Sequence, residues 1–324
     1  MSSIVVLRQD DRHADVSPVL WDLDPTLLSS LCAIADRAAE IGVGARLVTA
    51  MPRQRPKTLV TARWSAGNWQ AVVDLVLQYG EAHESPEVAG APVEGPGGMR
   101  GVFLLQRRGT EMPGVDLARS FALQVQQSLE HAASRLESCR ATTQSLFQMV
   151  TAHDPDTGRH SQVVKRMALV LGTVVGIAPR ELMQLERSAL LHDVGKVHIP
   201  QALLDKAPPL SAADCACMRE HPTLGEKLVR AIPELESCAD AVRHHHERWD
   251  GTGYPDRLAG NAIPLEARIL AIVDAYETIR AGRSYRTGRG RDAALAEMTA
   301  GTGRQFDPTL VELFVDIPSH VLGL

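Results

Sequence analysis

The residues that could do chemistry gather around Leu190-Leu191-His192-Asp193-Val194-Gly195-Lys196. The chain has twelve histidines, and eight of them fall between His153 and His246. In order, the segment offers His160, the His192-Asp193 doublet, His221-Pro222, the run His244-His245-His246, and Asp274. Several imidazoles with a carboxylate that can bridge two ions are the donor set of two-metal phosphoryl hydrolases. Neighbouring residues on a helix diverge by about 100°. A His–Asp doublet can therefore face one ion only at a helix end or bend. The run before it has Leu182, Leu185, Ala189 and His192 on one helical face. Gly195 marks where that helix is expected to end, with Lys196 held beside the doublet.

The elements that must carry these residues divide the chain. With 324 residues it is long enough for two domains and a sizeable core. A net charge of −5, with 44% hydrophobic and 23% charged residues, is that of an ordinary globular protein. It disfavours a polymeric nucleic acid partner, and leaves room for a small anionic nucleotide in a local basic pocket. No stretch approaches the roughly 18 apolar residues of a membrane span, and no secretion signal is apparent. Five scattered cysteines, Cys32, Cys139, Cys215, Cys217 and Cys238, read as reduced thiols in a cytoplasmic protein.

Residues 1–115 carry strand-like runs at Ile4–Leu7, Ala45–Ala50, Thr58–Trp64 and Gly101–Gln106. Ser85 to Gly98 is rich in Pro and Gly and reads as a loop. A helix with Leu27, Leu31, Ile34, Ala38 and Ile41 on one face follows Asp24-Pro25. This predicts a small α+β domain. Residues 116–145 belong to a Pro- and Gly-free stretch of about 40 residues, near 60 Å as a helix. Leu117, Phe121, Val125, Leu129, Ala132, Leu136, Cys139, Leu146 and Val150 form its apolar stripe. Such a stripe is buried either in a parallel coiled homodimer or against the chain's own domains. Residues 146–324 are expected to be an all-α bundle, with loops at Asp154–Arg159, Lys206–Leu210, Asp250–Pro264 and Arg280–Arg291.

The catalytic half resembles the HD-GYP family, the cyclic di-GMP phosphodiesterase branch of the HD metal-dependent phosphohydrolases. The resemblance rests on Asp154-Pro-Asp-Thr-Gly-Arg-His160, His192-Asp-Val-Gly-Lys196, His221-Pro-Thr-Leu-Gly225, His244-His-His-Glu-Arg-Trp-Asp-Gly-Thr-Gly-Tyr-Pro255, Ile263–Asp274 and Arg283-Ser-Tyr-Arg286. The N-terminal part resembles GAF sensor domains less specifically, and a PAS-like or other α+β module fits as well. The HD-GYP resemblance implies cyclic di-GMP hydrolysis to pGpG, with GMP as a further product, by a hydroxide between two metals. His160, His192, Asp193 and Asp274 would hold the first metal, with Asp193 bridging, and His221, His245 and His246 the second. Fe or Mn is expected, with Ni or Zn as alternatives.

Asp156 is either a ligand of a third metal or a helix-start carboxylate favoured by the dipole. The resemblance makes Lys196, Tyr254, Arg283 and Arg286 substrate contacts. It makes Gly253-Tyr254-Pro255 also a docking loop for diguanylate cyclase (GGDEF) partners. His244 is expected to pack at a helix end and Glu247 to orient rather than ligate. Ser284, Glu277 and Arg280 depart from the family pattern. Two other functions compete with the first: an HD hydrolase of another cyclic dinucleotide or nucleotide phosphate, and a module that binds cyclic di-GMP and docks a cyclase.

Overall fold

The computed structural model describes residues 5–6, 25–40, 44–50, 57–62, 70–85, 87–95, 99–106, 114–207, 209–283 and 286–322. The chain forms two compact units, Met1–Leu136 and Glu137–Leu324.

The first unit is built on an antiparallel sheet of four longer strands with a two-residue strand at each edge. The strands are β1 (Val5–Val6), β2 (Gly44–Ala50), β3 (Lys57–Ala62), β4 (His83–Glu84), β5 (Val88–Gly95) and β6 (Met99–Gln106), in the order β1-β3-β2-β6-β5-β4. The central pair β2–β6 runs in register from Gly44↔Gln106 to Ala50↔Arg100. Strand alternation sends β6 side chains to two different cores. Phe103 and Leu105 face helix α1 (Pro25–Glu40), where Leu27, Leu31, Ile34 and Ala38 are buried as their spacing predicts. Val102 and Leu104 face α2 (Gln70–Tyr79), through Val72, Val73 and Val76.

The sheet corrects the sequence reading at one span. The span Ser85–Gly98, expected to be a loop, contains β5. Its Gly90 is required by packing, since a Cβ there would sit 2.8 Å from Val72 and 2.9 Å from Leu104. Its Pro92 is tolerated because β4 pairs only with Ala89 and Gly90, which leaves the rest of β5 at the sheet edge. Asp24 and Ile41 lie outside the described residues. So do Ile4 and Leu7, Arg63 and Trp64, and the Pro96–Gly98 part of the expected loop.

Helix α3 runs unbroken over Val115–His153, as its composition predicts. Its apolar stripe is buried by the chain itself. Ala118, Phe121, Ala122, Val125, Leu129 and Ala132 enter the core of the first unit, and Cys139, Phe147 and Val150 enter a core of the second. Of the two ways to bury the stripe, this is burial against the chain's own domains, so a homodimer through that seam is not supported.

The second unit is helical. Helices α4 (Pro155–Val175), α5 (Pro179–Leu191), α8 (His221–Arg230), α9 (Ala239–His244) and α10 (Leu265–Ala281) carry the site. Short helices α6 (Gln201–Leu204) and α7 (Ala212–Met218) connect α5 to α8, and α11 (Gly290–Ala300) and α12 (Pro308–Val315) close the bundle. The span Asp154–Arg159 is not a loop. Asp154 caps α4, accepting from the amides of Asp156 and Thr157 at 3.1 and 3.2 Å, with Pro155 at the first helical position. Gly158 looks like a loop residue but lies against Thr151 of α3, whose side chain a Cβ would meet at 2.4 Å. No described helix is long and apolar enough to cross a membrane.

Candidate metal centre

The doublet sits where α5 stops. Leu191 is the last residue of the helix, His192 its C-cap, and Asp193 leads into a 3-10 turn, Val194–His198. The helix therefore ends before Gly195, and Gly195 is not in the left-handed conformation of a glycine cap. It is glycine for a different reason. A Cβ there would lie 1.9 Å from the carbonyl oxygen of His221 and 2.6 Å from the amide nitrogen of Gly225. The first turn of α8 rests on this bare backbone, which brings His221 within 3.2 Å of Asp193.

Three histidines reach the centre by one local device. The Nδ1 of His192 lies 2.8 Å from the carbonyl of Ala189, that of His221 2.7 Å from Met218, and that of His245 2.7 Å from Val242. A carbonyl only accepts, so each Nδ1 carries the proton and each Nε2 presents a lone pair. His160, on the second turn of α4, and Asp274, in the middle of α10, approach to 2.8 Å. Two triads result, His160-His192-Asp274 and His221-His245-His246, each with donor atoms within 4.8 Å of one another. Asp193 lies between them, with Oδ1 3.2 Å from His221 and Oδ2 3.3 Å from His192.

Five of the eight clustered histidines thus converge. His153 and His244 are used elsewhere. His153 Nε2 donates to the carbonyl of Ile199 at 3.1 Å, and His244 caps its own helix and bonds Asp256 at 2.9 Å.

The donor set fits divalent metal ions. The Nε2 of His192 is buried without a hydrogen-bond partner among the described residues. The Nε2 atoms of His221 and His245 lie only 3.3 Å apart with both Nδ1 atoms already committed, an arrangement that a shared cation relieves. Burial and the neighbouring imidazoles push His245 well below its ordinary pKa, and burial followed by His221 takes His246 to about 3. Both are thus neutral and able to ligate. Burial disfavours the carboxylates of Asp193 and Asp274. Even so, Lys196 and His192 hold Asp193, and His160 holds Asp274, well below the ordinary range. Burial also opposes a His192 cation, yet Asp193 and Asp274 raise its pKa overall. Buried negative charge of this kind calls for bound cations.

Lys196 donates to Asp193 Oδ2 at 2.7 Å and to Thr157 Oγ1 at 3.4 Å. Tyr254 stacks on His246, with ring centroids 5.1 Å apart at 28°. The loop that carries it is pinned by glycine and by ion pairs. A Cβ on Gly253 would come 2.4 Å from the amide nitrogen of Arg248. Glu247 Oε1 accepts from the Asp256 amide at 2.7 Å, and Arg243 grips the Asp256 carboxylate through two bonds of 2.6 and 2.8 Å. Glu247 belongs to neither triad and holds the loop. The Tyr254–Pro255 peptide is cis. A cleft of about 410 Å³ opens beside the second triad, lined by His245, His246, Asp274, Tyr254, Arg219 and Thr278 among others.

Asp156 belongs to neither triad, and Arg159 pairs with its carboxylate at 2.9 Å. Arg283 and Arg286 face each other across the two-residue strands β7 (Gly282–Arg283) and β8 (Arg286–Thr287). Their side chains, and residues 284–285, lie outside the described residues. The unusual Glu277 and Arg280 are partners: Arg280 donates to both carboxylate oxygens of Glu277, at 2.9 and 3.1 Å. Arg219 is a cleft residue that the spacing of the motifs did not single out. Its only signal is a cation two positions before His221.

The family model described as "HD domain" matches residues 144–310. The cyclic di-GMP phosphodiesterase response regulator RpfG of Xanthomonas campestris pv. campestris is 36% identical over 196 residues, covering 59% of this chain and 51% of its own length. A cyclic di-GMP phosphodiesterase of Vibrio cholerae is 35% identical over 218 residues, covering 62% of this chain and 44% of its own. The 3'3'-cGAMP-specific phosphodiesterase 2 of the same organism is 35% identical over 182 residues, with 56% and 35% covered. The chain spans about half or less of the length of these relatives.

Proposed function

The chain belongs to the HD domain family, and from that premise we propose that it is a metal-dependent phosphodiesterase that opens cyclic di-GMP to linear pGpG. The observation that carries the reading is the pair of donor triads, His160-His192-Asp274 and His221-His245-His246, flanking the buried carboxylate of Asp193 beside an open cleft. Relatives named as cyclic di-GMP phosphodiesterases support the substrate. One named for 3'3'-cGAMP, at the same identity as the Vibrio cyclic di-GMP enzyme, makes that dinucleotide the second reading.

Two divalent metals, with Fe or Mn favoured by the imidazole and carboxylate donors, would supply Lewis acidity for activating a water and for charge on the phosphoryl oxygens. His160, His192 and Asp274 would hold one, His221, His245 and His246 the other, and Asp193 both. The protein contributes rigidity: each of three imidazoles is fixed by a backbone carbonyl, so the donors need no reorganisation. Lys196 keeps Asp193 ionised and places a point charge where a phosphate docks. Burial and the carboxylates of Asp193 and Asp274 raise the Tyr254 phenol above its ordinary pKa. Its hydroxyl therefore stays a donor, and its ring gives a base or sugar a flat wall beside the second triad. Arg283 and Arg286 complete the substrate contacts in this reading. The Gly253-Tyr254-Pro255 loop is also the face offered to a GGDEF partner.

The first unit is proposed to be a GAF-like regulatory input, joined to the catalytic unit by α3. Removal of residues 1–115 is expected to change the rate and leave the substrate unchanged; an unaltered rate would remove the regulatory role.

The deciding experiment incubates the metal-analysed protein with cyclic di-GMP and with 3'3'-cGAMP and separates the products. Formation of pGpG that disappears in His192→Ala and Asp193→Ala is expected. Faster opening of 3'3'-cGAMP would reassign the substrate. Bound metals with retained, uncleaved nucleotide would make the protein a binding module.

A further inference from the structure

Five charged side chains line the cleft beside the second triad, and four of them have partners. Arg248 is tied to Asp250 at 3.2 Å and to Thr252 at 2.9 Å. Glu297 pairs with Arg289. Asp274 meets His160, and Glu247 receives the Asp256 amide. The fifth is Arg219, which has no carboxylate partner among the described residues. Its guanidinium carbon lies 5.4 Å from the centroid of the Tyr254 ring, whose own neighbour is His246 of the second triad. Tyr254 thus touches both the guanidinium of Arg219 and the imidazole of His246, and all three line the cleft.

A cation stacked on an aromatic ring keeps its edge N–H donors free for an anion in the ring plane. Arg219 is held this way at the position where α7 has ended and α8 is about to begin. Its ring contact is Tyr254, which belongs to neither triad. An anion bound to it need not be the phosphate held at the triads. Cyclic dinucleotides carry two phosphodiesters, and only one is cleaved at a time.

Resting on the phosphodiesterase reading, we infer that Arg219 and Tyr254 form the subsite for the second phosphate of the cyclic dinucleotide, the one not being cleaved. Arg219 is then a substrate-contact residue that selects two-phosphate substrates over simple phosphodiesters.

The test compares cyclic di-GMP with bis(4-nitrophenyl) phosphate, which has one phosphodiester and nothing for Arg219 to hold. Both are assayed on wild type, Arg219→Gln and Arg219→Lys at equal metal content. Loss of one charge-assisted phosphate contact lowers kcat/KM for the dinucleotide about ten-fold or more. The ratio of the dinucleotide value to the simple-ester value is therefore expected to fall about ten-fold in Arg219→Gln, mainly through KM, with partial recovery in Arg219→Lys. A ratio within two-fold of wild type overturns the inference. So does an equal fall on both substrates, which would show that Arg219 only supports Tyr254. Absence of dinucleotide turnover in the wild type, with the simple ester still cleaved, defeats instead the cyclic dinucleotide substrate on which the subsite rests.

Discussion

Replacing Gly195 by alanine strikes the joint that sets the spacing of the two triads. The added Cβ would stand 1.9 Å from the His221 carbonyl oxygen and 2.6 Å from the Gly225 amide nitrogen. Both neighbours are backbone at the start of α8, so no side-chain rotation relieves the clash. In a close-packed interior, α8 and the 3-10 turn must separate by about 1 Å. Metal ligation tolerates errors of about 0.2 Å, and His221 is the one second-triad ligand carried by α8. Such a shift is expected to weaken the second site strongly while leaving His160, His192 and Asp274 in place. Overpacking of this kind also destabilises by about 1–3 kcal/mol. Metal analysis of the purified variant, with denaturant unfolding alongside, is the assay. The expected result is about one tightly held ion per chain in place of two, with a lowered unfolding midpoint. Two ions bound as tightly as in wild type would refute the idea that the Gly195 contact positions His221.

Three further expectations follow from the geometry. Asp193→Asn should weaken both ions together, by about ten-fold or more each, whereas His246→Ala should release only one; metal titration by equilibrium dialysis separates the cases, and loss of a single ion in Asp193→Asn would show that Asp193 does not bridge. Asp156→Ala should leave the number of bound ions unchanged and lower stability by only about 0.5 kcal/mol, the worth of an acid in a first helical turn; loss of an ion on metal analysis would make Asp156 a ligand of a third metal instead. The Asp256 carboxyl is held at about 2, first by Arg243 and then by His244. Its anchoring of the Tyr254 loop is thus complete above the ordinary value of 3.8 and is lost as pH falls through about 2. Carboxyl-carbon NMR of Asp256 should show that depressed midpoint, and titration near the ordinary value of 3.8 would mean that the Arg243 pairing does not hold in solution.

Much of the site was legible because metal chemistry restricts residue types. Only a few side chains ligate transition metals, so the clustered imidazoles from His160 to His246, with Asp193 and Asp274, stood out before any fold was known. The local motif also told that His192 and Asp193 sit at a helix end. The apolar periods of α1 and α3 were equally plain, since amphipathic spacing is a local property of the chain.

Other features had no local signature. Pro92 and its neighbouring glycines read as a loop, yet β5 forms because β6 pairs with it along its length and Pro92 lies where β4 has ended. The stripe on α3 announced burial without saying against what; the chain's own two cores supply the partner. Glu277 and Arg280 looked like two separate oddities and are one bidentate pair. Arg219 was a single cation among many until Tyr254, distant in sequence, was found beneath it.

By itself, the sequence offered the candidate donors, the helical character of the second unit and the length of α3, because each is written in residue type or in a short period. Tertiary structure alone decided which donors share a triad, why Gly195 must lack a side chain, and where free charge remains in the cleft. Those depend on distances between segments far apart along the chain. Such distances are set by how whole helices pack, and no local pattern encodes them.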